Sequence, residues 1–275
     1  TYDLVGGSLE TGKTNPVEYT VETESFTLNN PSKVGYTFIG WTGSNGETEQ
    51  ITVTIAKGST ENRTYKANWR ANTDTRYTVE TYEMDLSGDY VKISTEEKAG
   101  ETDTSVSIDV QTKEGFTYEE ALSNVTGIIS PNGDTVFKIY YSRNKYVLSV
   151  NHDNGISNVS GAGEYYYGAN IVVDATVKPG YTWSTWTSSN TLLIADSTSK
   201  TYNITMPVGN VTLTAKTTII TYTITYDLTG GALPEGETNP TEYTVETDNI
   251  ILNAPRKTGY TFIGWTGSNG TTANK

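Results

Sequence analysis

The chain contains the twelve residues Gly-Tyr-Thr-Phe-Ile-Gly-Trp-Thr-Gly-Ser-Asn-Gly twice, once from Gly35 and once from Gly259. Shifting the sequence by 224 positions lays Thr1 on Thr225, and the match then runs without a gap to Gly46 and Gly270. Of those 46 positions, 33 are identical. Shared strand propensity alone does not give such identity, so the chain carries two copies of one unit with other material between them. Reuse of this kind excludes a single large core and predicts a row of small modules.

The intervening segment divides in two by the same grammar. Each unit opens on a Tyr-led alternating stretch and passes a polar turn region. It then shows a Gly-aromatic-Thr-aromatic signal: Gly35-Tyr-Thr-Phe, Gly115-Phe-Thr-Tyr and Gly180-Tyr-Thr-Trp. A last alternating stretch runs into the next unit. The predicted modules are 1–70, 76–145, 146–220 and 221–275, the last a shortened copy of the first. They are called A, B, C and A′ below. The linkers 71–75 and 142–145 are short and polar, which favours modules set end to end. A string of four such beads has an expected radius of gyration of roughly 33 Å, against ~19 Å for one globule of this length.

Period-two alternation of β-branched and aromatic residues predicts half-buried strands, as in Tyr19–Thr23, Ile51–Ile55 and Tyr222–Tyr226. Turn signals such as Asn15-Pro16, Asn45-Gly46, Asn132-Gly133 and Asn154-Gly155 punctuate them. One short helix is predicted after Thr117, over Tyr118–Asn124, with Glu119 and Glu120 in its first turn. The fold class is therefore mainly β, α+β at most.

Module A′ has no counterpart of Ile51–Ile55 or Tyr65–Trp69. The chain thus reads as a fragment, and A′ is expected either to stay partly disordered or to complete its sheet by strand exchange with another molecule. No signal peptide is expected, since residue 1 already sits inside a module motif.

Charge and composition narrow the function. The formal net charge of −13 disfavours nucleic acid and anionic membrane surfaces as partners. No apolar run approaches the ~20 residues that span a bilayer. Cysteine is absent, which removes disulfides, thiolate metal sites and Cys-His catalysis. His152, the one histidine, falls in a turn-like His-Asp-Asn-Gly, and no serine sits in a Gly-x-Ser-x-Gly elbow. Paired carboxylates without a deep cleft do not make a glycosidase. Asn151–Gly155 offers too few oxygens in register for calcium. Neither an enzyme nor a metal or cofactor site is expected.

Residues Tyr2–Gly7 and Tyr226–Gly231 (Tyr-Asp-Leu-x-Gly-Gly), Asn15-Pro16 and Asn239-Pro240, and Gly35–Trp41 and Gly259–Trp265 resemble the Listeria–Bacteroides repeat, the internalin-type B-repeat. Tyr65-x-Ala-Asn-Trp69 matches the way such repeats close. Module B is similar, more loosely, to mucin-binding repeats, and module C to another tandem repeat of bacterial exoproteins. The resemblance implies small β-grasp-like modules, a cell-surface or secreted location, and a stalk or adhesion role without catalytic residues. Host glycans, mucin or matrix proteins are then the expected partners. An ancillary region of a secreted carbohydrate-active enzyme is the alternative.

Module C is nearly neutral, with 3 basic and 4 acidic residues, whereas module B has 7 and 13. Its Tyr165, Tyr167, Trp183 and Trp186 are the candidate binding residues, because exposed aromatics stack on sugar rings or anchor protein contacts. Alternate burial is the competing reading, with Tyr165 and Tyr167 on one face of a strand. Trp41 and Trp265 read first as core anchors and second as sugar platforms.

Overall fold

The computed structural model describes residues 1–190, 193 and 198–275. They form two compact units, Thr1–Asn144 and Lys145–Lys275. Secondary structure among the described residues is strand and turn throughout.

Module A holds β1 (Tyr2–Asp3), β2 (Phe26–Thr27), β3 (Tyr36–Gly43), β4 (Gly46–Gln50), β5 (Thr54–Ile55) and β6 (Tyr65–Ala71). Its main sheet runs β1-β6-β3-β4, with β1 parallel to β6 and the other pairs antiparallel. A parallel first and last strand needs a long crossover, and residues 4–64 supply it. Along β6 the alternation is plain: Tyr65 and Ala67 are buried, Lys66 exposed. The core gathers Leu28, Trp41, Val53, Ile55, Tyr65 and Ala67. Edge strand β4 is exposed throughout and carries Glu47 and Glu49, charges that discourage pairing with another chain.

Module B repeats the plan with β7 (Thr75–Met84), β8 (Tyr90–Gly100), β9 (Ser105–Ser107), β10 (Phe116–Tyr118), β11 (Thr126–Ile128) and β12 (Thr135–Arg143). The order is β10-β12-β7-β8, with β7 and β12 parallel at the centre. Phe137, Ile139 and Tyr141 alternate into a core shared with Tyr77, Val79, Ile108 and Ile129. The expected helix over 118–124 is instead a single turn, in which the Ser123 amide donates to the Glu119 carbonyl at 3.1 Å. Both ends of the segment are tied to β12. The Glu119 amide donates to Tyr140 O, and Asn124 and Lys138 exchange backbone bonds. With so short a span, this pinning outweighs helix propensity.

Module C has β13 (Lys145–His152), β14 (Ile156–Ser160), β15 (Gly163–Tyr166), β16 (Asn170–Val177), β17 (Tyr181–Ser188), β18 (Tyr202–Thr205) and β19 (Val211–Ile219). One sheet runs β15-β13-β19-β17, again with first and last strands parallel, and a second runs β14-β16-β18. Leu148, Val173, Trp186, Met206, Val211 and Leu213 are almost wholly buried in its core.

Module A′ keeps only β20 (Tyr222–Thr223) paired with β21 (Glu242–Tyr243), and β22 (Trp265–Gly267) paired with β23 (Gly270–Asn274). Three expected strands are corrected, two of them in module A. Tyr19–Thr23 forms a turn, closed by Thr23 N to Thr20 O at 3.0 Å and Thr20 N to Thr23 Oγ1 at 2.9 Å. Of Ile51–Ile55 only Thr54–Ile55 is ladder, and of Tyr222–Tyr226 only Tyr222–Thr223. Threonine's hydroxyl offers the backbone a local partner, and in the first case it wins over the ladder.

Candidate functional site

The four aromatic candidates of module C occupy different environments. Tyr165 lies on β15 opposite Tyr146, half-buried, with its hydroxyl donating to the Gly161 carbonyl at 3.1 Å. Tyr167 follows the end of β15 and is half-buried. Trp183 is half-buried against the core, while Trp186 is only 1% exposed. The two indoles meet edge to face, with centroids 5.4 Å apart. Tyr165, Tyr167 and Trp183 thus keep some surface open to solvent, and Trp186 almost none.

Strict alternation puts residues three apart on opposite faces of a strand. A register shift between Trp183 and Thr185 undoes this, so both indoles pack on the core. Module A does the same. Its shift lies between Phe38 and Gly40, and Phe38 meets Trp41 edge to face at 5.5 Å. In A′, Phe262 meets Trp265 at 5.5 Å. The tryptophan pair of module C thus stands where module A keeps its core aromatics. The bulge is what alternation misses: it sets residues 38 and 41, and 183 and 186, on one face. Gly40 sits in the first bulge at φ +139°, and a Cβ there would lie 2.6 Å from the Gln50 amide nitrogen.

Module B carries an aromatic cluster outside its core. Tyr82 stacks on Tyr140 at 4.6 Å, and Tyr90 stands edge-on to Tyr140 at 5.2 Å. Glu80 accepts from the Tyr82 hydroxyl at 2.7 Å and from Lys92 Nζ at 2.8 Å. These bonds, Lys92 foremost, hold the Glu80 carboxyl below its usual range, and the Glu80 bond pushes the Tyr82 hydroxyl up to about 12. A groove beside the same sheet is lined by Tyr77, Val79, Lys98, Asp109, Gln111 and Tyr141.

His152 is exposed at the end of β13, with Nδ1 2.8 Å from the Asp153 carbonyl oxygen. The Asp153 carboxylate is the structural member of that turn. It accepts from the Thr217 amide (2.7 Å), the Thr217 hydroxyl (2.8 Å) and the Gly155 amide (3.1 Å). Burial opposes its ionisation, but these bonds outweigh burial and lower its pKa from the ordinary 3.8. A lowered native pKa gives stability that is complete above the unfolded value and fades as the pH falls through the native one. Module C is therefore expected to weaken below about pH 3.8. Acid unfolding followed by tryptophan fluorescence checks this, and Asp153→Asn should flatten that limb of the curve.

Among the described residues, no three His, Cys, Asp or Glu side chains are placed to hold a metal ion. Nor is any helix long and apolar enough to cross a membrane. The Listeria–Bacteroides repeat domain matches residues 1–68 and 222–275, and the divergent InlB B-repeat domain matches residues 146–220. No curated protein matches the chain. Repeat domains of these kinds are generally non-catalytic and occur in bacterial surface or secreted proteins. With the parallel first and last strands and the bulged aromatic pair of modules A and C, these matches identify residues 1–68 and 222–275 as Listeria–Bacteroides repeats and residues 146–220 as a divergent InlB B-repeat.

Proposed function

We propose that this chain is a non-catalytic spacer segment of an extracellular bacterial protein, setting a binding region at a distance. The observation that supports it is how the modules are chained. Strand β6 ends at Ala71 and β7 begins at Thr75; β12 ends at Arg143 and β13 begins at Lys145; β19 ends at Ile219 and β20 begins at Tyr222. The joints are one to three residues long, and each core is closed within its own module. Stability then accrues module by module, as in repeat proteins.

A second reading, a direct adhesin for host glycans, mucin or a matrix protein, draws on the stacked Tyr82, Tyr90 and Tyr140 and on the accessible Tyr165, Tyr167 and Trp183. Binding of the intact chain to mucins, glycans and matrix proteins at physiological salt separates the two. The spacer reading expects no saturable binding. Saturable binding lost on Tyr90→Ala or Tyr167→Ala, with the fold intact, would replace it with the adhesin.

A further inference from the structure

The Gly-aromatic-Thr signal has a structural task common to modules A, B and C. The strand it opens runs antiparallel to the module's last strand, pairing Tyr36 with Ala71, Phe116 with Arg143 and Tyr181 with Ile219. Its glycine carbonyl accepts the amide of the first residue past that last strand. The donors are Asn72 (3.0 Å), Asn144 (3.0 Å) and Ile220 (2.9 Å). The Thr37 and Thr117 hydroxyls add bonds to the Asn72 and Asn144 side chains at 2.8 and 2.7 Å. The signal therefore holds the start of each linker.

In modules A and C its middle residue is a tyrosine that reaches the next module. The Tyr36 hydroxyl donates to the Asp103 carboxylate of module B, and the Tyr181 hydroxyl donates to Glu246 Oε1 of module A′ at 2.5 Å. Both tyrosine joints lie inside a compact unit.

The acceptor side is built for the contact. Asp103 has φ +58°, a left-handed conformation uncommon outside glycine, and its amide is tied to Ile129 O at 2.9 Å. Beside it, Thr102 is 2% exposed. Its hydroxyl donates to Gly35 O at 2.8 Å, and its amide donates to Asn72 O at 2.9 Å. The glycines admit the neighbour. A Cβ on Gly35 would lie 2.8 Å from Pro131 Cα, and one on Gly180 would lie 1.9 Å from Val245 Cγ1.

We propose that Gly-Tyr-Thr is a docking corner for the following module, specific for one that presents a carboxylate to the tyrosine hydroxyl. Tyr36→Phe and Tyr181→Phe in the full chain test it, read by amide hydrogen exchange. Removing one hydrogen bond should speed exchange of Asn72 and Thr102 in the first variant, and of Ile220 in the second, by roughly five- to tenfold. Core amides such as Ala67, Phe137 and Leu213 should keep their rates. Asp103→Asn added to Tyr36→Phe should change exchange no further, since the bond is already gone. Unchanged linker amides, or core amides that accelerate equally, would overturn the proposal.

Discussion

Replacing Trp41 by alanine is expected to destabilise module A by about 3–5 kcal/mol, whereas Trp265→Ala is expected to cost about 1 kcal/mol or less. The two tryptophans sit in the same twelve-residue word. Trp41 is fully buried, with its Nε1–H donating to Asn30 Oδ1 at 2.9 Å. Tyr2, Phe38 and Tyr65 surround its ring. Truncation there leaves a cavity that a small core cannot close. Trp265 is half-exposed. Position 254, equivalent to Asn30, is alanine, and the Trp265 indole N–H has no partner. Chemical denaturation of each variant, followed by the amide resonances of its own module, measures the difference. Equal losses would mean that A′ has a core as complete as that of A.

Trp186→Ala is expected to cost module C a similar ~3–5 kcal/mol and to leave modules A and B folded. Its side chain sits among Leu148, Val173 and Leu213, with no face to solvent. In a thermal scan the module C transition should fall while that of residues 1–144 stays in place. A shift of the whole chain together would show one cooperative core, against the three separate clusters seen here. The result also bears on function. Loss of ligand binding in Trp186→Ala would report unfolding, so only the accessible Tyr165, Tyr167 and Trp183 can test a contact surface in module C.

The short word shared by A and A′ shows how far sequence reaches on its own. Local geometry is the same in both copies. Gly35 and Gly259 stand at φ +78° and +80°, and Gly40 and Gly264 at +139° and +137°. The Asn45 and Asn269 amides each donate to the tryptophan carbonyl four residues before, at 2.7 and 3.0 Å. Asn15 clamps the Asn29 amide as Asn239 clamps the Asn253 amide, both at 2.7 Å. Tyr2 and Tyr226 each donate to a proline carbonyl at 2.6 Å. Such contacts close within about fifteen residues, so the residues themselves dictate them.

Strand and burial are another matter. Tyr36–Gly43 is an eight-residue strand in A, while in A′ the ladder covers only Trp265–Gly267. Ile263 is 72% exposed, and Tyr260 is 71% exposed. The difference is β6, whose Tyr65–Ala71 pairs the full length of β3 in module A and has no counterpart within the A′ sequence. Repeats, turns and the mainly β class were legible because they rest on local chemistry and on identity between segments. Three features needed the tertiary structure: which strands formed, that Trp183 and Trp186 share a face, and that Tyr36 and Tyr181 reach into the next module. A ladder requires a partner distant in the chain, a bulge is resolved against its neighbour strand, and a hydroxyl finds its carboxylate only once two modules have docked.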